Sequence, residues 1–395
     1  MKQKSTGLFT CLMLLMLLLL LLALPLQAQS QEPRLIAGQG QAGDLPPQSL
    51  AAITLAAALG CDGVSLNLVL TQNNQVLILT DIDLKAVSNV TTLFPDRGQE
   101  DQEDNSFPVF DLSLDELRQL TWQGSSGYHH TPVPLSEVLA LQRTLKDNLG
   151  HDLLLNLELR QPWKHRQADL DLTRAVLDTL QMAGHTGRTE AIRLQSYDHE
   201  ELRRLRLELL PEYGLDLDLI QLIGDNNGQE AQVEQWGTLQ PYNYDWMLSR
   251  SGLRLLATLV QGIGLDKSQL ISAAGAPLLT DYLADLKTLG LNLQIRDLKQ
   301  DHSAGNVQDL TRLADLLPHL TAADSLITDN CSQLVRARRQ RLLAPQPHVI
   351  PPPTDLMAPV LSPGPVPLPI SPPTPVPTPI QAPVFIHLPE PPQEQ

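Results

Sequence analysis

Positive charge, cysteine and long apolar runs are all scarce in this chain, and each shortage removes a class of protein. Lysine and arginine number 28 against 44 aspartates and glutamates, a formal net charge of −16. So acidic a surface repels phosphate backbones and anionic lipid, which excludes nucleic acid and charged membrane as surface partners. Beyond the first 28 residues no stretch is apolar enough to span a bilayer. Only three cysteines occur, and Cys11 lies in the leader, so Cys61 and Cys331 alone remain to pair. Aromatic residues are 4% of the chain, which makes a local group of them worth noticing.

What is present begins with an address. Lys2 and Lys4 precede an apolar run from Leu8 to Leu24, followed by Pro25 and the small Ala28. That is the layout of a secretory signal peptide over residues 1–28. Its removal takes two lysines and no acids, leaving −18 on a protein exported to a periplasm or to the exterior. At 17 residues the run also meets the lower limit for a membrane span, so an uncleaved signal is the one route to membrane contact. At the other end, 19 of the 51 residues from Pro345 to Gln395 are proline. Proline fixes φ and lacks the amide donor, so residues 344–395 read as a disordered, polyproline II tail able to meet a protein partner.

Residues 31–343 alternate strand and helix patterns. Strands are predicted at Arg34–Gly38, Gly63–Leu70, Val76–Thr80, Asp152–Arg160, Ile192–Tyr197, Leu215–Ile223, Asn292–Asp297 and Ser325–Asp329. Amphipathic helices are predicted at Gln48–Leu59, Asp169–Met182, His199–Leu209 and Ala276–Leu289. Such alternation makes a parallel sheet, either doubly wound or closed into a (β/α)8 TIM barrel. A segment at 81–134 interrupts it. In a barrel, Cys61 just before a strand and Cys331 just after one fall at opposite ends, which predicts two free thiols.

Three motifs then carry a family resemblance: Leu35-Ile36-Ala37-Gly38-Gln39-Gly40, Leu45-Pro46-Pro47-Gln48-Ser49-Leu50 and Asp62-Gly63-Val64-Ser65-Leu66-Asn67. Downstream stand Leu93-Phe94-Pro95-Asp96-Arg97, Glu158-Leu159-Arg160-Gln161-Pro162-Trp163, Leu194-Gln195-Ser196-Tyr197-Asp198 and Pro241-Tyr242-Asn243-Tyr244-Asp245-Trp246. In this order they resemble the glycerophosphodiester phosphodiesterase family, its periplasmic bacterial branch in particular. The resemblance covers residues 35–329 and implies the closed barrel, of the phospholipase C-like type, with 81–134 as an insertion over its mouth.

The family's chemistry, as the resemblance implies it, needs calcium held by three carboxylates, two histidines that exchange protons, and fixed positive charge on the phosphate. Most of these groups are substituted here. The first histidine falls on Gly38, its arginine on Gln39, and the second histidine on Thr80, with Asp81 kept after it. The motif glutamate of the second run falls on Pro47. Two metal carboxylates fall on Ser65 and Asn67, and the third is kept as Glu158. Arg160 stands for the phosphate-binding lysine. A later carboxylate and arginine fall on Lys85 and Ala86, a His-Pro pair on Gln294 and Ile295, and Thr328 and Asp329 match. Trp163, Tyr244 and Trp246 follow strands and are expected near the mouth or in the core.

One carboxylate does not hold calcium as three do, so no cofactor is expected, and the neutral oxygens of Ser65 and Asn67 leave at most weak calcium binding. Three readings follow. The chain is a catalytically impaired phosphodiesterase homologue that binds a glycerophosphodiester or phosphate, or scaffolds. Alternatively it is an active hydrolase rebuilt around Glu158 and His129, His130 or His165. In the third reading the proline-rich tail is the working part.

Overall fold

Apolar strands and outer helices close here into a barrel. The computed structural model describes residues 32–98, 106–122, 131–150, 152–272, 276–298 and 311–343, the last range without 313, 316, 318–320 and 322. The signal segment, His129, His130 and the proline-rich tail lie outside the described residues.

The described residues form twelve strands: β1 Arg34–Gly38, β2 Gly63–Leu70, β3 Val76–Ile78, β4 Val133–Pro134, β5 Leu154–Leu159, β6 Gly187–Ser196, β7 Leu215–Leu222, β8 Gln232–Gln235, β9 Thr238–Pro241, β10 Gly262–Asp266, β11 Asn292–Arg296 and β12 Ser325–Thr328. Eight of them pair in parallel in the order β1, β2, β5, β6, β7, β10, β11, β12, and β12 pairs back onto β1. The (β/α)8 barrel is therefore closed. Its strands are buried on both faces, as Leu154–Leu159 is throughout, because helices cover the outside while side chains fill the inside.

Seven of the eight predicted strands are barrel staves. Val76–Thr80 is not: β3 runs antiparallel to β2 and passes on to β4. The missing stave is β10, whose Gly262-Ile263-Gly264-Leu265-Asp266 weakens any strand pattern. The glycines are required by packing. A Cβ at Gly262 would lie 2.8 Å from Ile220 Cδ1, and one at Gly264 2.5 Å from Leu222 Cδ2, so β7 side chains take the space.

The predicted helices are found at Leu50–Leu59, Leu172–Met182, His199–Arg204 and Thr280–Thr288. Ser49 caps the first, accepting from Ala52 N. The third continues through a π turn, Leu205–Leu209, into Leu210–Tyr213; Pro211 has no amide to donate, and the ladder shifts register just before it. The insertion owns a second core of Leu84, Phe107, Phe110, Leu117 and Trp122 against Val69 and Leu77. Within it Arg97 reaches Glu116 at 2.9 Å, and Ser113 and Glu116 form a reciprocal cap on Leu114–Leu117.

The cysteines correct the expectation of free thiols. Cys61 and Cys331 form a disulfide, their Cα atoms 6.3 Å apart. β12 has only four residues, and the chain turns at once into the helix Cys331–Leu343, which folds back over β1. Both cysteines thus arrive at Leu35: its carbonyl accepts from Asp62 N at 2.8 Å, and Cys331 Sγ packs 3.8 Å from the same oxygen. Reasoning from strand ends overlooked that reversal.

Candidate functional site

The carboxyl ends of the strands surround a cavity of about 330 Å³ lined by Gly38, Gln39, Ser65, Asn67, Thr80, Asp81, Glu158, Arg160, Tyr197, Asp266, Arg296, Asp297, Leu298, Ile327, Thr328 and Asp329. Ten of the sequence-derived positions meet here: Gly38, Gln39, Ser65, Asn67, Thr80, Asp81, Glu158, Arg160, Thr328 and Asp329. Barrel closure unites them, since β1 lies between β2 and β12 with Gly38 opposite Ser65 and Ala37 opposite Thr328. A larger groove of about 640 Å³ lies on the outer wall along the helices Leu135–Leu149 and Leu172–Met182, away from these residues.

Glu158 is the hub. It stands on β5 opposite Asn67 and is 1% exposed. Its Oε1 accepts from Arg160 Nη1 at 3.0 Å and its Oε2 from Arg296 Nη2 at 2.9 Å. Burial alone pushes its carboxyl up, but Arg296 and Arg160 outweigh that and hold it below the usual carboxylate range. Glu158 is ionised, and both its oxygens are taken. Arg160 also meets Glu230 at 2.9 Å, and the Arg296 guanidinium lies 5.4 Å from the centre of the Tyr197 ring.

The two positions onto which the resemblance places histidines, Gly38 and Thr80, are closely hemmed in. A Cβ at Gly38 would stand 2.6 Å from Asp329 Oδ1, so the Asp329 carboxylate fills the room a side chain there would need. Thr80 is held from both sides: its carbonyl accepts from Asn67 Nδ2 at 3.1 Å and its Oγ1 donates to Gln39 Oε1 at 3.4 Å. Neither group is an acid or base near neutral pH. Asp81 lines the cavity and accepts from Ile82 N at 2.7 Å, pinning the loop that follows.

Below this level the interior is crossed by amides. Asn156 donates to Gln294, Gln294 Nε2 to Gln195 Oε1 at 2.7 Å, and Gln195 Nε2 to Ser65 Oγ at 3.1 Å. These buried groups carry no charge and bond one another in a row, with Asn156 Oδ1 left unpartnered among the described residues.

Several expected residues are elsewhere. Trp246 does not line the cavity: its Nε1 donates to Tyr242 Oη at 3.2 Å and its ring meets His199 at 5.1 Å. Tyr244 is buried behind Tyr197, 6.5 Å between ring centres, and Trp163 is half-buried on the helix Pro162–Gln167, outside the lining. Lys85 and Ala86 are exposed on the insertion. His165 is fully buried rather than on the surface; its Nε2 accepts from Leu70 N at 3.1 Å and its Nδ1 faces Gln161 O at 3.2 Å. Burial pushes its pKa down to about 4, so it is a neutral structural imidazole.

Arg296, Asp266, Tyr197, Asp297 and Glu230 were not singled out from the sequence. A signal existed for Arg296: Asn292, Gln294 and Arg296 are polar at every second position of a strand, which marks an inward-facing polar row. Among the described residues no three His, Cys, Asp or Glu side chains are grouped to hold a metal ion, and Glu158 is spent on arginines.

Fold and mouth together define a (β/α)8-barrel protein with a cavity at the carboxyl ends of its strands. The model of the glycerophosphoryl diester phosphodiesterase family matches residues 39–294, and the chain belongs to that family. It is similar to the glycerophosphodiester phosphodiesterases of Treponema pallidum (28% identity over 323 residues, 76% of this chain and 90% of that protein) and Haemophilus influenzae (24%, covering 75% and 86%). Solved structures with this fold include an Oleispira antarctica phosphodiesterase in complex with the product sn-glycerol-3-phosphate (TM-score 0.53, 16% identity, covering 78% of this chain and 97% of that one). A Silicibacter pomeroyi protein matches with TM-score 0.55 and 17% identity, covering 78% and 94%.

Proposed function

We propose that this member of the family is an exported, catalytically silent barrel that binds a phosphodiester ligand rather than cleaving it. The observation that carries the reading is the double arginine clamp on Glu158, which ties up the one metal-ligand carboxylate retained from the family. Gly38 and Thr80 supply no proton, and each positioned acid or base is worth about 10²- to 10⁴-fold in rate. The Asp329 carboxylate beside Gly38 opposes a simple reversion to histidine. Export is supported by the signal-like leader and by the Cys61–Cys331 disulfide, which suits an oxidising compartment.

The test is release of glycerol 3-phosphate from glycerophosphocholine by the purified mature protein in millimolar calcium, with Glu158→Gln alongside. No release from either folded protein is expected. Calcium-dependent turnover that disappears in Glu158→Gln would overturn the reading and establish a rebuilt active site.

A further inference from the structure

The connection from β7 to β10 and the final helix carry opposite charge. From Leu207 to Ser249 the chain has no lysine or arginine, while the helix Cys331–Leu343 holds four arginines and no acid. Within the first segment β8 and β9 form a two-stranded hairpin, rooted where Glu230 meets Arg160 at 2.9 Å. Its tip is Trp236-Gly237, with φ of 55° and 78°, the signs of a type I′ turn. Asparagine or glycine suits the first of these positions, and a bulky ring there is strained. The Trp236 side chain nevertheless stands wholly in solvent, 101% exposed. Glu234 and Leu239 lie opposite each other on the two strands, share one face and are both exposed. Glu234 has no partner among the described residues.

The hairpin end thus offers an aromatic face, a carboxylate and an apolar group. It fits a guanidinium beside an aliphatic side chain. A second copy of the chain supplies that pair. On the final helix Arg336, Arg339, Gln340 and Leu343 fall at i, i+3, i+4 and i+7, so they share a face, and all four are exposed. Arg338 and Arg341 are already paired, with Asp62 and Asp315. Arg339 donates only to the Leu59 carbonyl, which leaves its charge unopposed, and Arg336 has no partner among the described residues. The two surfaces belong to opposite ends of the barrel. The hairpin follows the carboxyl end of β7, whereas the helix runs back to the amino end of the strands, where Arg338 reaches Asp62 just before β2. Within one chain they stay apart; between copies they fit. We infer that the chain associates head to tail, the Trp236 ring and Glu234 of one copy taking Arg336 and Arg339 of the next while Leu239 packs on Leu343. The net charge of −16 opposes contact elsewhere. So few side chains make a weak, reversible contact, and a head-to-tail contact does not close on a pair.

Sedimentation velocity of the full mature chain at low ionic strength, from about 10 μM to about 1 mM, tests this without reference to what the mouth binds. Association with a Kd on the order of 0.1 mM is expected, with species that lengthen past the dimer as concentration rises, weakened about threefold in about 0.5 M NaCl. Trp236→Ala and Arg336→Glu each weaken it about tenfold at an unchanged melting temperature. Mixed one to one, the two variants keep one working surface each and form a dimer that grows no further. A monomer throughout the range, association unaltered in either variant, or a mixture that stays monomeric or grows past the dimer would each overturn the inference.

Discussion

Two ion-pair networks are built from the same residue types, one on the outer wall and one in the mouth, and they answer to different constraints. On the wall, Arg166 meets Asp198 at 3.2 Å and also Glu201, while Arg204 meets Glu201 at 3.0 Å and also Asp171. Two of these carboxylates have local work: Asp198 caps the helix His199–Arg204 and Asp171 caps Leu172–Met182. In the mouth, Glu158 caps nothing. Its partners come from β11 and from the loop after β5, and all face the cavity. A wall network is explained by the ends of helices. The mouth network serves no helix end, and its groups line the cavity.

The contrast is broken most severely by removing its hub. Glu158→Ala removes the buried partner that two guanidiniums share, leaving Arg160 with Glu230 and Arg296 with Asp266 alone, and a loss of about 3 kcal/mol in urea denaturation is expected. Asp198→Ala on the wall removes a cap and one partner of a half-exposed arginine, and about 1 to 2 kcal/mol is expected. If the two losses were equal, the mouth network would be no more demanding than the wall.

Acid separates the regions differently. His165 is neutral when folded, with its pKa lowered from 6.5 to about 4, so the unfolded chain binds the extra proton between those values. Stability is therefore fully present above about pH 6.5, falls as the pH drops, and levels off below about pH 4, a loss of about 3 kcal/mol. The Glu158 contribution has the same sign but a lower window: held below the usual carboxylate range, it is lost only as pH falls through its folded pKa. His165→Gln should flatten the upper part of the pH profile and spare the lower.

Much of this was legible in the sequence because the family's glycines, prolines and apolar spacing are present. Gly38, Ser65, Asn67, Thr80, Glu158 and Asp329 could be placed on strand ends from motif order alone. Arg296 was passed over because the matching positions nearby were Gln294 and Ile295, and nothing local announces that β11 and β5 face each other across the interior. β10 was missed because packing against Ile220 and Leu222 demands glycine where a strand pattern wants branched residues. Trp246 was drawn toward the mouth by its motif, yet a motif gives position along the chain and not the face. Its ring turned outward to His199.

The disulfide makes a mechanical statement about the barrel's seam. β1 is hydrogen-bonded to β2 on one side and to β12 on the other, with Leu35, Ile36 and Ala37 buried, and it is the first stave of the ring. Cys61 and Cys331 join the connection entering β2 to the helix leaving β12, riveting the two neighbours of β1 across its back. Tension applied through the chain beyond Leu343 would travel down the final helix to Cys331 and cross to Cys61. The pull would be delivered to β2 and shared by the whole stave ring, without stripping β12 from its edge.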